Sequence, residues 1–384
     1  MNKNKLLIIG IDASRNRSGG AKAHLIGILS ECVPAKHGIH EIHVWSFREL
    51  LDQLPNYPWL IKHNPIALEQ SLFKQLIWQA TALSGAVKSA GCNILFATDA
   101  STICHFKPMV VLSQDLLSYE PGMMRFYGYG LARLRLLIIL GLQNLAFRRA
   151  AGVIFLTSYA ANVIQRSCGS LPHIICIPHG VDQAFQQVNP VNSWPATNRR
   201  PIRCVYVSNA EMYKYQWVVI QAIAALRQRG HNLSLSLVGG GKGPAQKLIK
   251  ATLSALDPTD EFVKQLPFLP KEALPTLLTQ ADLFVFASGC ETFGITLLEG
   301  MSVGLPIACS NRSSLPETLQ DGGVYFNPED ANSIANAIEQ ITQSPQLRLS
   351  ITQRAKILSS QYNWKRCSDD TFAFITKTCR NIKT

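Results

Sequence analysis

A chain of 384 residues is long for one ordinary domain and comfortable for two, and 47% hydrophobic against 16% charged residues excludes a disordered chain. The formal charge of +12 suggests nucleic acid first, but no nucleic-acid motif accompanies it. The excess is spread, with 17 Lys and Arg against 10 Asp and Glu over residues 1 to 190, which suits an anionic lipid or phosphorylated glycan better. In chain order, KLLIIGI opens as a strand, because its apolar run is too short for a signal peptide and breaks at Asp12. Gly19 and Gly20 follow as a turn into a helix from Ala21 to Ser30. HVWSF, NILFA, MVVLS, GVIFLT and HIICIP read as further strands of the first half, alternating with helical patterns. QAFQQVNPVNSWPATNRRP, polar and proline-bearing, reads as a linker, with a domain boundary at about residues 190 to 200. IRCVYVS, LSLSLV, LFVFAS and PIACS are the strands of the second half, with Gln216 to Arg229 among its helices. A last helix runs from about Trp364 to Arg380. This alternation predicts α/β architecture: two doubly wound, Rossmann-like parallel domains facing a cleft.

No run of 18 uncharged apolar residues occurs, which excludes a transmembrane helix of ordinary length. The ten cysteines form no CxxC pair, and Cys92, Cys176, Cys204 and Cys309 fall in apolar strand-like runs, so buried reduced thiols in a cytosolic protein are expected. His37, His40 and His43 in HGIHEIH suggest a metal only weakly, since Gly38 and the strand-like EIHVWSF break any common helical face. No Asp-x-Asp stands at a strand end to hold a diphosphate-bound cation, so neither metal nor cofactor is expected.

The strongest chemical signal is ETFGITLLEGM, with Glu291 and Glu299 eight positions apart. The preceding ADLFVFASGC reads as a buried strand, and Thr296 to Val303 as a helix. Glu291 then lies in the loop at the strand's carboxyl end and Glu299 about one turn into the helix. Gly294 lets the backbone approach a ligand, and the first helical amides are free donors. Such a site takes a phosphate, with a carboxylate on each side for hydroxyls, which describes a nucleotide-sugar.

SGCETFGITLLEGMSVGLPIACSNRSSLPE resembles the Glu-x7-Glu signature of the large retaining glycosyltransferase family 4, which has the GT-B fold. KLLIIGIDASRNRSGGAKAHL is similar to that family's first strand and glycine-rich loop, IPHGVD to its Pro-Asn-Gly-Val-Asp, and VYVSNAEMYKYQ and LVGGGKG to two segments of its donor domain. The resemblance implies that Glu299 bonds the ribose hydroxyls and Glu291 approaches the donor sugar's hydroxyls. It implies that Gly294, Ile295 and Thr296 present amides to the diphosphate, while Phe293 packs. Lys214 is implied as the cation for the departing phosphates. The family's arginine five residues earlier is replaced here by Asn209, which brings a hydrogen bond but no charge. Gly19 and Gly20 are implied as a loop closing over the donor phosphates.

On the acceptor side, many family members carry a histidine after the strand matching MVVLS, where this chain has Gln114 and Asp115. His105 in TICHFKP reads first as a structural histidine, with a substitute acceptor contact as its alternative, and His179 in IPHGVD is expected to be structural. The reading is a retaining, metal-independent glycosyltransferase of hexosyl type, acting in polysaccharide or glycolipid synthesis. Residues 1–190, with the helix of about 364–384 packing back, would bind the acceptor, and 200–361 the donor. The expected partners are a nucleotide diphosphate-sugar, a saccharide or lipid-linked saccharide, and an anionic membrane surface on the cytoplasmic side, not nucleic acid. The alternatives are a GT-B-fold epimerase or phosphorylase, and a non-catalytic nucleotide-sugar-binding subunit.

Overall fold

The computed structural model describes residues 6–190, 194–195 and 200–382. Most of the expected linker thus lies outside the described residues. The chain divides into two compact units, Met1–Gly180 with Asn363–Thr384, and Val181–Tyr362.

The described residues of the first unit form a seven-stranded parallel sheet from β1 (Leu7–Asp12), β2 (Ile39–Trp45), β3 (Leu60–His63), β4 (Ile94–Ala97), β5 (Met109–Leu112), β6 (Gly152–Phe155) and β7 (Ile174–Cys176). Their order is β3-β2-β1-β4-β5-β6-β7, so the winding reverses between β1 and β4. The central strands are buried on both faces, as β4 and β5 show by having no exposed residue. The helix Gly19–Ser30 starts two residues before the expected Ala21, because the Ser18 hydroxyl accepts from Ala21 N at 3.3 Å and caps it. Gly19 and Gly20 are therefore in its first turn and not in a loop preceding it.

The helix Trp364–Ile382 belongs to this unit. Its indole at Trp364 fills the space above Gly27, where a Cβ would lie 2.2 Å from Trp364 Cδ2. Ser368 Oγ donates to Ile28 O at 2.7 Å, and Lys36 Nζ reaches Asp369 at 2.6 Å. Gly27→Ala is expected to destabilise this unit by about 1–3 kcal/mol through overpacking. Denaturant unfolding checks this, and an unchanged midpoint would mean that the indole simply swings aside.

The three histidines of HGIHEIH do not converge on one site, although His40 and His43 both approach Glu41, at 3.6 and 3.3 Å. His37 lies 3.3 Å from Asp369, His40 is exposed beside Glu41, and His43 meets His63 at 2.9 Å in a stack with Trp45. Cys176 corrects the expectation of burial, since it is exposed on β7, the sheet's last strand, which has β6 on one side and no strand on the other among the described residues.

The described residues of the second unit form a six-stranded parallel sheet in the order β10-β9-β8-β11-β12-β13. The strands are β8 (Ile202–Val207), β9 (Leu233–Val238), β10 (Val263–Leu266), β11 (Leu283–Phe286), β12 (Ile307–Ser310) and β13 (Val324–Phe326). The winding reverses between β8 and β11, where Val205 stands opposite Phe284. In a doubly wound sheet a ligand crevice opens outside the carboxyl ends of the strands at such a reversal.

Candidate active site

The loops after β8 and β11 flank that crevice, and they hold Lys214 and Glu291. After β8 the chain makes a 3-10 turn over Met212–Lys214, fixed by Lys214 N donating to Glu211 O and by the Tyr206 hydroxyl donating to Lys214 O at 2.7 Å. After β11, Gly289 N donates to Tyr213 O at 2.7 Å, which ties the two loops together. Lys214 Nζ then forms an ion pair with Glu291, both side chains being largely buried. The aromatic rings of Tyr213 and Phe286 lie 5.2 and 5.5 Å from the same ammonium. This charge is held by a carboxylate, two π faces and a braced backbone, a preorganised cation at a strand end.

Ser313 and Ser314, in the turn after β12, brace Glu291 from the other side. Ser313 Oγ accepts from Glu291 N at 3.0 Å, and the Ser314 hydroxyl donates to Glu291 O at 2.8 Å. Both serines stood in the SNRSSLPE run without an assigned task; only long-range register gives them one.

Gly294 ends the loop at φ +90°, a left-handed conformation that disfavours a side chain. The helix Ile295–Val303 begins there with no side-chain cap, and Ile295 and Thr296 are partly exposed at its start. Phe293 is fully buried, as a packing residue should be. Glu299 points from this helix into an enclosed position, only 7% exposed, and accepts no hydrogen bond among the described residues. Burial raises its carboxyl to about 7, with Lys271 pulling it down and Asp182 pushing it up. Those two side chains form an ion pair at 3.2 Å. A buried carboxylate without hydrogen-bond donors is costly unless a ligand supplies them.

Asn209 is exposed just beyond β8, and its side chain makes no hydrogen bond among the described residues. The neighbouring glycine loop after β9 packs closely against this segment. Gly239 sits at φ +117°, and a Cβ there would lie 2.3 Å from Ser208 O.

In the first unit, the segment after β1 is anchored by the buried Asp12, which accepts from Ser14 Oγ and Gln79 Nε2, each at 2.6 Å. Burial raises the Asp12 carboxyl, and these two bonds oppose it. Nothing lies within 4 Å of where a Cβ on Gly19 or Gly20 would be. Gln114 Nε2 donates to Thr98 O at 2.9 Å, joining the loops after β4 and β5, while Asp115 is exposed and accepts from Leu117 N at 3.0 Å. His105, also exposed, faces a cavity beside the helix Leu131–Arg149. His179 is buried, with Nδ1 3.0 Å from Nδ1 of His24, and burial drives its pKa down to about 3.

Residues 195–357 match the family model described as glycosyl transferases group 1. The second unit is a group 1 glycosyltransferase domain. Over 110 residues, 29% of each protein, the chain is 37% identical to O-antigen chain mannosyltransferase B of Escherichia coli. It spans well under two thirds of the length of the curated relatives it matches. Among solved structures, sucrose-phosphate synthase of Thermosynechococcus elongatus superposes with a TM-score of 0.76 at 18% identity, covering 95% of this chain and 97% of that one. An Anabaena protein solved with UDP and glucose gives 0.71 at 20% identity, covering 95% and 98%. The glycosyltransferase domain thus belongs to a chain with the GT-B fold.

Proposed function

We propose that the chain is a retaining, metal-independent glycosyltransferase that moves a sugar from a nucleotide diphosphate-sugar to a saccharide or lipid-linked saccharide. The observation that carries this reading is Glu299, a buried carboxylate without a hydrogen-bond donor one turn into an uncapped helix. Ribose hydroxyls would supply the missing donors, and the open amides after Gly294 would take the diphosphate. Lys214 would steady the charge that develops as the bond from the sugar's anomeric carbon to phosphate oxygen breaks. The acceptor oxygen would bond that carbon on the same face, its proton passing to the leaving phosphate oxygen, so Gln114 need not be a base. Glu291 would contact the sugar's hydroxyls while orienting Lys214. Asn209 would lend the diphosphate one neutral donor, and the first unit would hold the acceptor.

The named relative acts on an O-antigen chain, and the Anabaena neighbour holds UDP, which supports a nucleotide-sugar donor and a glycan product. A thermal-shift screen of nucleoside diphosphates and their sugars, followed by transfer and hydrolysis assays, tests the reading. A donor-dependent shift with transfer is expected. Binding without transfer or hydrolysis would leave a nucleotide-sugar-binding subunit, and no shift with any donor would remove the reading altogether.

We place the acceptor unit against the cytoplasmic face of an anionic membrane. No helix among the described residues is long and apolar enough to cross one. Yet Tyr129 and Leu131 are 97% and 84% exposed beside Arg133, whose guanidinium lies 4.7 Å from the Tyr129 ring. Between Glu120 and Asp182 the chain has no acidic residue, while Arg125, Arg133, Arg135, Arg148, Arg149 and Arg166 fall there. Arginines near such a surface contribute about 1 kcal/mol each. Co-sedimentation with anionic vesicles is expected at low salt, lost at high salt and weakened by Arg133→Glu with Arg135→Glu. Equal binding to neutral vesicles, or none at low salt, would overturn this placement.

A further inference from the structure

The helices Leu72–Thr81 and Leu131–Arg149 and the segment after β4 wall a cavity of about 220 Å³ within the first unit. Ala80, Ile103, Leu142 and Ala146 make its walls apolar. It has room for several waters, and such walls offer them few partners. Two polar groups at its edge face no opposing charge. Arg149 and His105 are both exposed, make no hydrogen bond or ion pair among the described residues, and share the lining with no acidic residue.

The cavity also meets the outside in an apolar direction. Leu145 lines it and is 42% exposed, about two and three turns along the helix from Ile138 and Leu134, which are 55% and 52% exposed. Positions 134, 138 and 145 share one face of a helix. A polar small molecule would find only Thr102, His105 and Arg149 to bond here, against otherwise apolar walls, and a neutral apolar one would leave Arg149 and His105 unused. The combination calls for a ligand with an apolar chain and an anionic head.

We infer that this cavity binds the chain of a phosphate-headed amphiphile, its head on Arg149 and His105. The inference uses none of the residues around Glu291 and Glu299; it shares His105 with the candidate acceptor contacts and Arg149 with the proposed membrane-facing segment, and its binding test needs no sugar transfer. A bidentate guanidinium contact to the head and burial of several methylenes would act together, so neither a bare anion nor an uncharged chain should match the two combined.

Calorimetric titration of the full chain with monomeric decyl phosphate, inorganic phosphate and decyl maltoside tests it. Decyl phosphate is expected to bind at least tenfold more tightly than either of the others. Leu142→Trp and Ala146→Trp, which fill the cavity, should each abolish that preference in protein that unfolds cooperatively. Arg149→Ala should weaken decyl phosphate about tenfold and leave decyl maltoside unchanged. Should both tryptophan variants fail to fold, the alkylation rate of Cys104, a lining residue, can be mapped in the unaltered chain. Saturating decyl phosphate should slow it severalfold. Inorganic phosphate binding as tightly as decyl phosphate, unchanged affinity in the filled variants, or Cys104 alkylated at an unaltered rate would each overturn the inference.

Discussion

Lys214→Ala is expected to lower sugar transfer by about 10²–10³-fold, the scale of losing one preorganised donor at developing charge. The loss should fall on turnover more than on affinity for the bare nucleotide, because the role proposed for the lysine is to meet charge that accumulates during bond cleavage. Its ammonium is paired with Glu291 and flanked by Tyr213 and Phe286, so no solvent cation takes its place at the same point. Lys214→Arg separates charge from geometry: a guanidinium keeps the charge but does not fit the same pocket of rings. Glu291→Gln should also reduce turnover, by loosening the lysine and by weakening the contact to the sugar. Asn209→Arg adds a second cation to the exposed end of β8 and is expected to tighten diphosphate binding. Steady-state kinetics with the preferred donor reads all four variants. Full turnover in Lys214→Ala would place the phosphate on other residues.

Glu299→Ala is expected to weaken nucleotide binding by about 1.5–3 kcal/mol, or roughly ten- to 150-fold, as charge-assisted bonds to the ribose are lost. The same group makes a pH prediction. Its carboxyl is raised by burial from the ordinary 4.5 to about 7 in the folded protein. Below the lower value both folded and unfolded chains hold the proton. Between the two only the folded chain does, so this group's contribution to stability falls as pH rises through that window. Glu299→Gln should flatten that slope. In the proposed site, ribose hydroxyls would donate to the ionised form, so nucleotide binding should release a proton near pH 7 and tighten as pH rises through it. Calorimetry in buffers of different ionisation enthalpy measures the released proton. Binding without proton release, or unchanged affinity in Glu299→Ala, would take the ribose away from Glu299.

The central strands were legible because burial on both faces writes them as continuous apolar runs, as in ILFA and LFVF. The three strands that were missed, β3, β10 and β13, are all outermost in their sheets. An outer strand is covered on one side only, so LIKH, VKQL and VYF lack that run and read as connections. The same position left Cys176 exposed where its apolar neighbours suggested burial. At the candidate site, local spacing was enough for Glu291, Gly294 and Glu299, which share one strand-loop-helix passage. It could not reveal the pairing of Lys214 with Glu291, 77 residues apart, or the serine brace from the turn after β12. Those contacts depend on which strands are neighbours, and that order is not written in any single segment.

The first unit is discontinuous in the chain, and this bears on how the protein is made. Its closing helix, Trp364–Ile382, is translated only after the whole of Val181–Tyr362. At about 5–20 residues per second, ribosomes leave the first 180 residues waiting on the order of ten seconds or more for that helix. During that interval the surface around Gly27 and Gly152, later covered by Trp364 and Phe374, stays open to water and to chaperones. The second unit has no such dependence and can close as soon as it emerges. Chains ended after Tyr362 and released from the ribosome should therefore show a protease-resistant second unit beside a first unit that lacks its last helix.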